Sequence, residues 1–286
     1  MYCIILLIIF FVKGGDNLSV AFGKIEYRID DPQIIACGVS HTDKEMFNAL
    51  TNEVYDKVYD ITGNSDLIDS ILIGLADTGF KKDSLLPIFA CNDCINDWEV
   101  GEAYAQAYLE DNFSSILPWN LSRDIKKPGS SLPGADIVGL HLQDNSAYFL
   151  FGEIKTSSDQ DYPPGLMYGP TGLKKQLDDL CTEQDTIFAL IKYLGFRLKN
   201  TVHWPMYQNA FQKYYINNYN IHIMGVLIRD VKPNEKDLAA RAKSLSPYCI
   251  NGRQINLVAI YLPQEAISKF VPIIESEHER RLSAKC

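Results

Sequence analysis

The sequence predicts an α/β fold with a mixed central sheet. Three observations carry that expectation. From residue 98 onward the apolar spacing switches between a period of three to four and a period of two, so helices and strands alternate. Two strands lie on either side of a turn at Asn145 and read as a hairpin, which supplies the antiparallel part. The later strands are separated by helical stretches, so they return through helices.

Along the chain, residues 4–12 are nine consecutive apolar residues. A bilayer span takes about 20, so the run is too short to cross a membrane. It reads as a strand buried on both faces. A signal-peptide core with Ser19-Val20-Ala21 as cleavage site is the alternative, but no basic residue precedes the run. Residues 18–29 have strand character. Thr42 and Glu45 form a capping box that starts a helix, and Phe47, Leu50, Val54 and Val58 continue one helical face. Residues 67–75 suit either a second helix or a buried strand.

Residues 98–113 read as a helix through Val100, Ala103, Tyr104, Ala107 and Tyr108. Residues 126–129 (Lys-Lys-Pro-Gly) are a loop. Residues 135–142 and 147–156 are the hairpin strands. A Pro/Gly/Tyr loop at 161–170 leads into a helical stretch over 171–198, with a break expected near Gly195. Strand 221–229, helix 233–245, strand 255–262 and helix 264–282 complete the order.

With 286 residues the chain suits one large domain or two modest ones. Apolar residues at 47% and charged residues at 22% fit a protein with a real core and exclude a disordered tail or a fibre. The net charge of −9 argues against a protein that coats DNA through bulk charge. That charge is unevenly placed. Residues 1–100 carry 7 basic and 16 acidic side chains, whereas residues 101–286 carry 20 of each. The shift suggests a boundary near residue 95, separating an acidic α+β region (1–95) from the remainder (96–286). The acidic region is expected to dock a partner or to screen a site until activation; solubility alone is the plainer role. The seven cysteines show one lone C-x-x-C, Cys91 and Cys94, without a second pair or nearby His for zinc. Reduced thiols in a cytoplasmic protein are the expectation.

The chemistry concentrates in the hairpin. Asp136 precedes the first strand, and Glu153 and Lys155 lie near the end of the second. Strand side chains alternate, so Glu153 and Lys155 share a face and Ile154 takes the other. The start of one hairpin strand lies beside the end of the next, so two carboxylates and an ammonium converge at one sheet edge. Hard divalent cations take oxygen ligands, and Mg²⁺ usually keeps waters beside one or two carboxylates. Such an ion neutralises phosphoryl charge and lowers the pKa of bound water. Tyr148-Phe149-Leu150-Phe151 is apolar on both faces, so the strand reads as central, where charges need a reason.

The run Gly134-Ala135-Asp136-Ile137-Val138-Gly139, followed by Gly152-Glu153-Ile154-Lys155-Thr156, resembles the active-site signature of the PD-(D/E)xK nuclease superfamily. Gly101-Glu102-Ala103 resembles the accessory acidic position that many members carry on a preceding helix. Residues 100–180, including Gly172-Leu173-Lys174-Lys175-Gln176-Leu177, resemble HamA-type nuclease subunits, which partner helicases in Hachiman-like antiphage systems. The resemblance implies a restriction-endonuclease-like core, with a central mixed sheet flanked by helices, preceded by a smaller α+β region. It implies a metal-dependent DNA endonuclease or exonuclease that hydrolyses phosphodiester bonds, with Mg²⁺ or alternatively Mn²⁺, and a helicase partner. Asp136 and Glu153 would be metal ligands, with the Ile154 backbone carbonyl a third. Lys155 would position or activate the attacking water. Glu102 would hold the metal through water or ligate a second ion. Gln176 would touch the site or be an ordinary helix position.

Arg123, Lys126 and Lys127, just before the Asp136 strand, and Lys174 and Lys175 are phosphate-contact candidates or else solvated charges. Tyr214, Tyr215 and Tyr219 with Lys213 suit either base stacking or the apolar face of a short helix. His141 faces away from Asp136, and His203, His222 and His278 show no ligand spacing. Two rival functions remain: a non-catalytic regulatory or binding subunit on a nuclease-like fold, and a restriction endonuclease with its own sequence recognition. No recognition module supports the latter. No membrane is expected among the partners.

Overall fold

Residues 20–31, 33–73, 95–125 and 134–284 are described by the structure, a computed structural model. The apolar run at 4–12, Cys91, Cys94, Lys126 and Lys127 lie outside the described residues. The acidic region contributes β1 (Lys24–Ile29), β2 (Ile34–Ser40), α1 (Asp43–Thr51), α2 (Glu53–Val58) and α3 (Ile61–Ile73). Next come α4 (Asp97–Asn112), the short β3 (Ser115–Ile116), β4 (Ile137–Gln143) and β5 (Ser146–Ser157). Then follow α5 (Leu173–Thr182), α6 (Gln184–Leu198) and α7 (Trp204–Ile216). The chain closes with β6 (Ile221–Arg229), α8 (Lys236–Leu245), β7 (Gln254–Tyr261) and α9 (Phe270–Ser283).

The strands form one seven-stranded mixed sheet in the order β1-β2-β7-β6-β5-β4-β3. The centre, β2-β7-β6-β5, is parallel, and both margins are antiparallel. A parallel centre needs helical crossovers and cover on both faces. Accordingly β6, IHIMGVLIR, is buried at every residue. Side chains of β5 alternate between two cores. Phe149 and Phe151 pack with Leu177, Leu194 and Tyr207 on one face, while Leu150 and Ile154 pack with Val100, Tyr104 and Phe270 on the other. The α/β class and mixed sheet are therefore as expected.

The hairpin turn follows its sequence. Asp144 and Asn145 both have positive φ (50° and 59°), the requirement of a two-residue turn whose twist matches the strands. The Thr42/Glu45 capping box also forms: Glu45 Oε2 accepts from the Thr42 amide (2.8 Å), and Thr42 Oγ1 accepts from the Glu45 amide.

Five elements differ from the sequence reading, the first being α7, which the order of elements passes over although a short helix is one reading of the tyrosines near 214. β2 and β3 went unread; β3 has only two residues, too few for a period. The helix over 171–198 breaks at Glu183, not Gly195. Gly195 lies inside α6, where its missing Cβ leaves room for the Tyr207 hydroxyl. The expected face through Phe47 and Val54 is interrupted at Asn52, and Phe47 is exposed. Residues 61–73 are helical, which resolves the described part of the 67–75 alternative.

The composition shift near residue 95 does not divide the sheet. β2 pairs in parallel with β7 over seven residues, Ile34↔Ile255 to Ser40↔Tyr261. Arg281 on α9 reaches across the same division: its Nη1 meets Asp56 Oδ1 at 2.8 Å, its Nη2 donates to the Thr51 carbonyl, and it lies over the Tyr55 ring.

Phe149 is fully buried between β5 and the edges of Tyr207 and Tyr214. Phe149→Ala is expected to cost about 3–5 kcal/mol in urea unfolding. A loss below about 1 kcal/mol would show that this core does not hold the central strand.

Candidate active site

The register of the hairpin builds the site. Ile137 pairs with Gly152, so continuing the ladder one step sets Asp136 opposite Glu153. Asp136 then ends the ladder with its side chain: Oδ2 accepts the Ile154 amide at 2.9 Å. The Asp136 backbone carbonyl accepts from Gln106 Nε2 of α4 at 3.2 Å. Lys155 Nζ stands 3.7 Å from Asp136 Oδ2 and 3.5 Å from Glu153 Oε2. Asp136, Glu153 and Lys155 therefore converge, as their spacing implied.

Glu102 enters from α4. Gly101 makes this possible, because a Cβ there would overlap Thr156 Oγ1 on β5. The helix backbone thus lies directly on the strand at Thr156, and the next residue, Glu102, comes within the field of Asp136 and Lys155. Gly152 has a parallel reason: a Cβ would overlap the Met224 carbonyl oxygen of β6.

The electrostatics follow from burial. Glu153 is 3% exposed, and its Oε2 meets the Lys155 ammonium only at 3.5 Å, outside good hydrogen-bond geometry. Burial, then the negative charge of Asp136, pushes the Glu153 carboxyl up to about 9, with Lys155 opposing. Burial and Asp136 likewise push Glu102 up to about 8. Both carboxyls therefore keep a proton more readily than an exposed Glu does.

Among the described residues, no three His, Cys, Asp or Glu side chains are grouped so as to hold a metal ion by themselves. The donor set still fits a hard cation that keeps most of its waters. It offers carboxylate oxygens on Asp136 and Glu153, one of them without a hydrogen bond, and Mg²⁺ asks for only one or two such ligands.

The other candidates are placed differently. Arg123 is bound bidentately to Asp60, with Nε–Oδ2 at 2.6 Å and Nη2–Oδ1 at 2.7 Å. Lys175 pairs within its own stretch with Asp179 and Glu183, and Lys174 is exposed while its carbonyl accepts from Arg241. Gln176 is half-buried, and its Oε1 has no hydrogen-bond partner. His141 stacks on the buried His222 with centroids 4.2 Å apart. His278 stacks on Tyr59. Gln106 and Thr156 were missed. Gln106 lies four residues after Glu102, the same helical face, so periodicity held the signal.

Two outcomes test this geometry. Glu102 and Glu153 keep their protons to higher pH folded than unfolded, so their contribution to stability is full below about pH 4.5. It is lost as pH rises through 8 to 9. With chelator present, the melting temperature should fall over pH 6–9, and Glu153→Gln should flatten the fall. An equal slope in the variant would contradict the buried-acid assignment. Gly101→Ala should cost about 1–3 kcal/mol by overpacking, and adding Thr156→Ala should recover most of it. Additive losses would show that the close approach is not the cause.

No protein-family model matches the chain, and no curated protein matches its sequence. Its function is therefore to be read from the site itself.

Proposed function

We propose that the chain is a metal-dependent DNA nuclease that hydrolyses phosphodiester bonds. We place it as the effector subunit of a bacterial antiphage complex with a helicase partner, on the resemblance of its motifs. The observation that carries the catalytic reading is the convergence of Asp136, Glu153 and Lys155, with Glu102 beside them, at the end of a buried central strand. Leaving such groups there without a role is costly. A buried carboxyl with an unsatisfied oxygen forfeits hydration, and structures rarely keep one for packing alone.

Asp136, Glu153 and the Ile154 carbonyl would hold the cation, and Glu102 would support it. When bound, Mg²⁺ supplies charge neutralisation at the scissile phosphate and acidifies a bound water. The chain's own groups do the remaining work. The Ile154 amide fixes one Asp136 oxygen and so fixes the carboxylate plane. Gln106 holds the Asp136 backbone from the other side. Lys155 lies within 4 Å of both acids and balances their charge. It is positioned to orient the attacking water and to steady negative charge on the phosphoryl oxygens. Among the described residues no helix is long and apolar enough to cross a membrane.

A second reading is a non-catalytic binding subunit. The observation that favours it is the lack, among the described residues, of a ready group of three metal-ligating side chains. The two readings part on plasmid cleavage with Mg²⁺ or EDTA, for the protein alone and with any helicase encoded beside it. The nuclease reading expects Mg²⁺-dependent cuts that fall about 100-fold or more in Glu153→Ala and Lys155→Ala. Parent-level cutting by both variants would refute it, and no cutting under any condition would favour the binding subunit.

A further inference from the structure

We propose that the groove between α6 and α7 binds single-stranded nucleic acid and leads it to the Asp136–Glu153 end of the sheet. The inference rests on the nuclease reading for the destination of the strand, but the binding itself does not.

The sequence is unusual here. Residues 186–229 contain five Lys or Arg and no Asp or Glu, in a chain whose acids outnumber its bases 36 to 27. Of the five, Arg197 is taken by Asp124 at 2.5 Å, and Arg229 is wholly buried. Lys192 and Lys199 are exposed and have no acidic partner among the described residues. Lys213 lies over the Tyr148 ring. The positive strip is thus free to meet an anion.

Between the helices lies a groove of about 490 Å³. Its walls are rings: Phe188 from α6 and Tyr207, Phe211, Tyr214 and Tyr215 from α7, with Lys192 on the rim. The rings are ordered by each other. Phe188 meets Tyr214 edge-on, and Tyr207 stacks with Phe211. Phe188, Phe211 and Tyr215 nevertheless remain 49%, 44% and 83% exposed. The amides of Gln184 and Asn218 complete the lining and can meet base edges. Exposed rings beside unpaired lysines are what a single strand needs: stacking for the bases and cations for the phosphates. A duplex hides its base faces and gains little from such a groove. An apolar peptide would use the rings but leave the lysines unmatched.

The groove wall and the site share strand β5. Phe149, against which Tyr207 and Tyr214 pack, shares a strand face with Glu153 four residues on. At ~3.3 Å per residue that is about 13 Å. Leu190 of α6 packs beside Gly134, two residues before Asp136.

The test is fluorescence anisotropy of the full chain, in EDTA, with a labelled mixed-sequence single strand and the matching duplex. The single strand should bind more tightly. Phe211→Ala and Tyr215→Ala should each weaken it about tenfold, Tyr215→Phe should retain it, and Lys192→Ala should flatten the salt dependence. Glu153→Gln should bind like the parent even where it no longer cuts. Failure of the nuclease reading would instead appear as a parent protein that binds the single strand but shows no Mg²⁺-dependent cleavage. Duplex preference, or parent-like affinity in both ring variants, would overturn the groove assignment. Loss of self-association in Phe211→Ala with unchanged oligonucleotide affinity would assign the rings to protein contact and overturn it as well.

Discussion

The site depends on one register, that of the β4–β5 hairpin. Pairing Ile137 with Gly152 sets Asp136 against Glu153, and no other register does so. A slip by one residue would turn every β5 side chain over, sending Phe149 and Phe151 into the wrong core and Glu153 with them. Several features forbid it. The turn at Asp144 and Asn145 has room for two residues only. Gly152 is held against the Met224 carbonyl, where no side chain fits. Two aromatic side chains on one face of β5 have their partners on that face alone. The cores that stabilise the fold are therefore the same contacts that aim the acids.

Packing also explains why the acidic region cannot be read from charge alone. Its strands join the sheet at β7, and part of its charge is internal. Asp56 binds Arg281, Asp60 binds Arg123, and Lys57 pairs with Glu110 of α4 at 2.5 Å. Asp56 fastens α2 to α9, Lys57 fastens it to α4, which carries Glu102, and Asp60, between α2 and α3, binds the segment before β4. Exposed pairs of this kind contribute little singly. Of the three, only the Lys57–Glu110 pair reaches α4, the helix that lies on β5 at Gly101. Partner docking or screening by the acidic region stays a separate idea from this structural use.

Much of this was legible in the sequence, for physical reasons. The Asp136, Glu153, Lys155 set was readable because strand alternation and hairpin geometry are strict rules. The capping box and the long strand 221–229 were readable because each depends on local chemistry. Other features were hidden because they depend on distant partners. Gly101 looks like any helical glycine until Thr156 is seen beside it. Arg123 looks like a phosphate contact until Asp60, far away in sequence, claims it. The break at Glu183 has no glycine or proline to announce it. Of the tyrosines near 214, Tyr214 is buried in the core, as the helix-face reading has it, while Tyr215 faces solvent.

The central proposal is that Asp136 and Glu153, with Lys155 beside them, hold a divalent cation at carboxyls that burial keeps reluctant to ionise. Calorimetric titration with Mn²⁺ at pH 7, in two buffers of different ionisation enthalpy, tests it most directly. Saturable binding that releases protons to the buffer is expected, since the metal competes with the protons that burial favours on Glu153 and Glu102. Asp136→Asn is expected to abolish the binding while the protein stays folded. Absence of binding in the parent, or equal binding in Asp136→Asn, would contradict it.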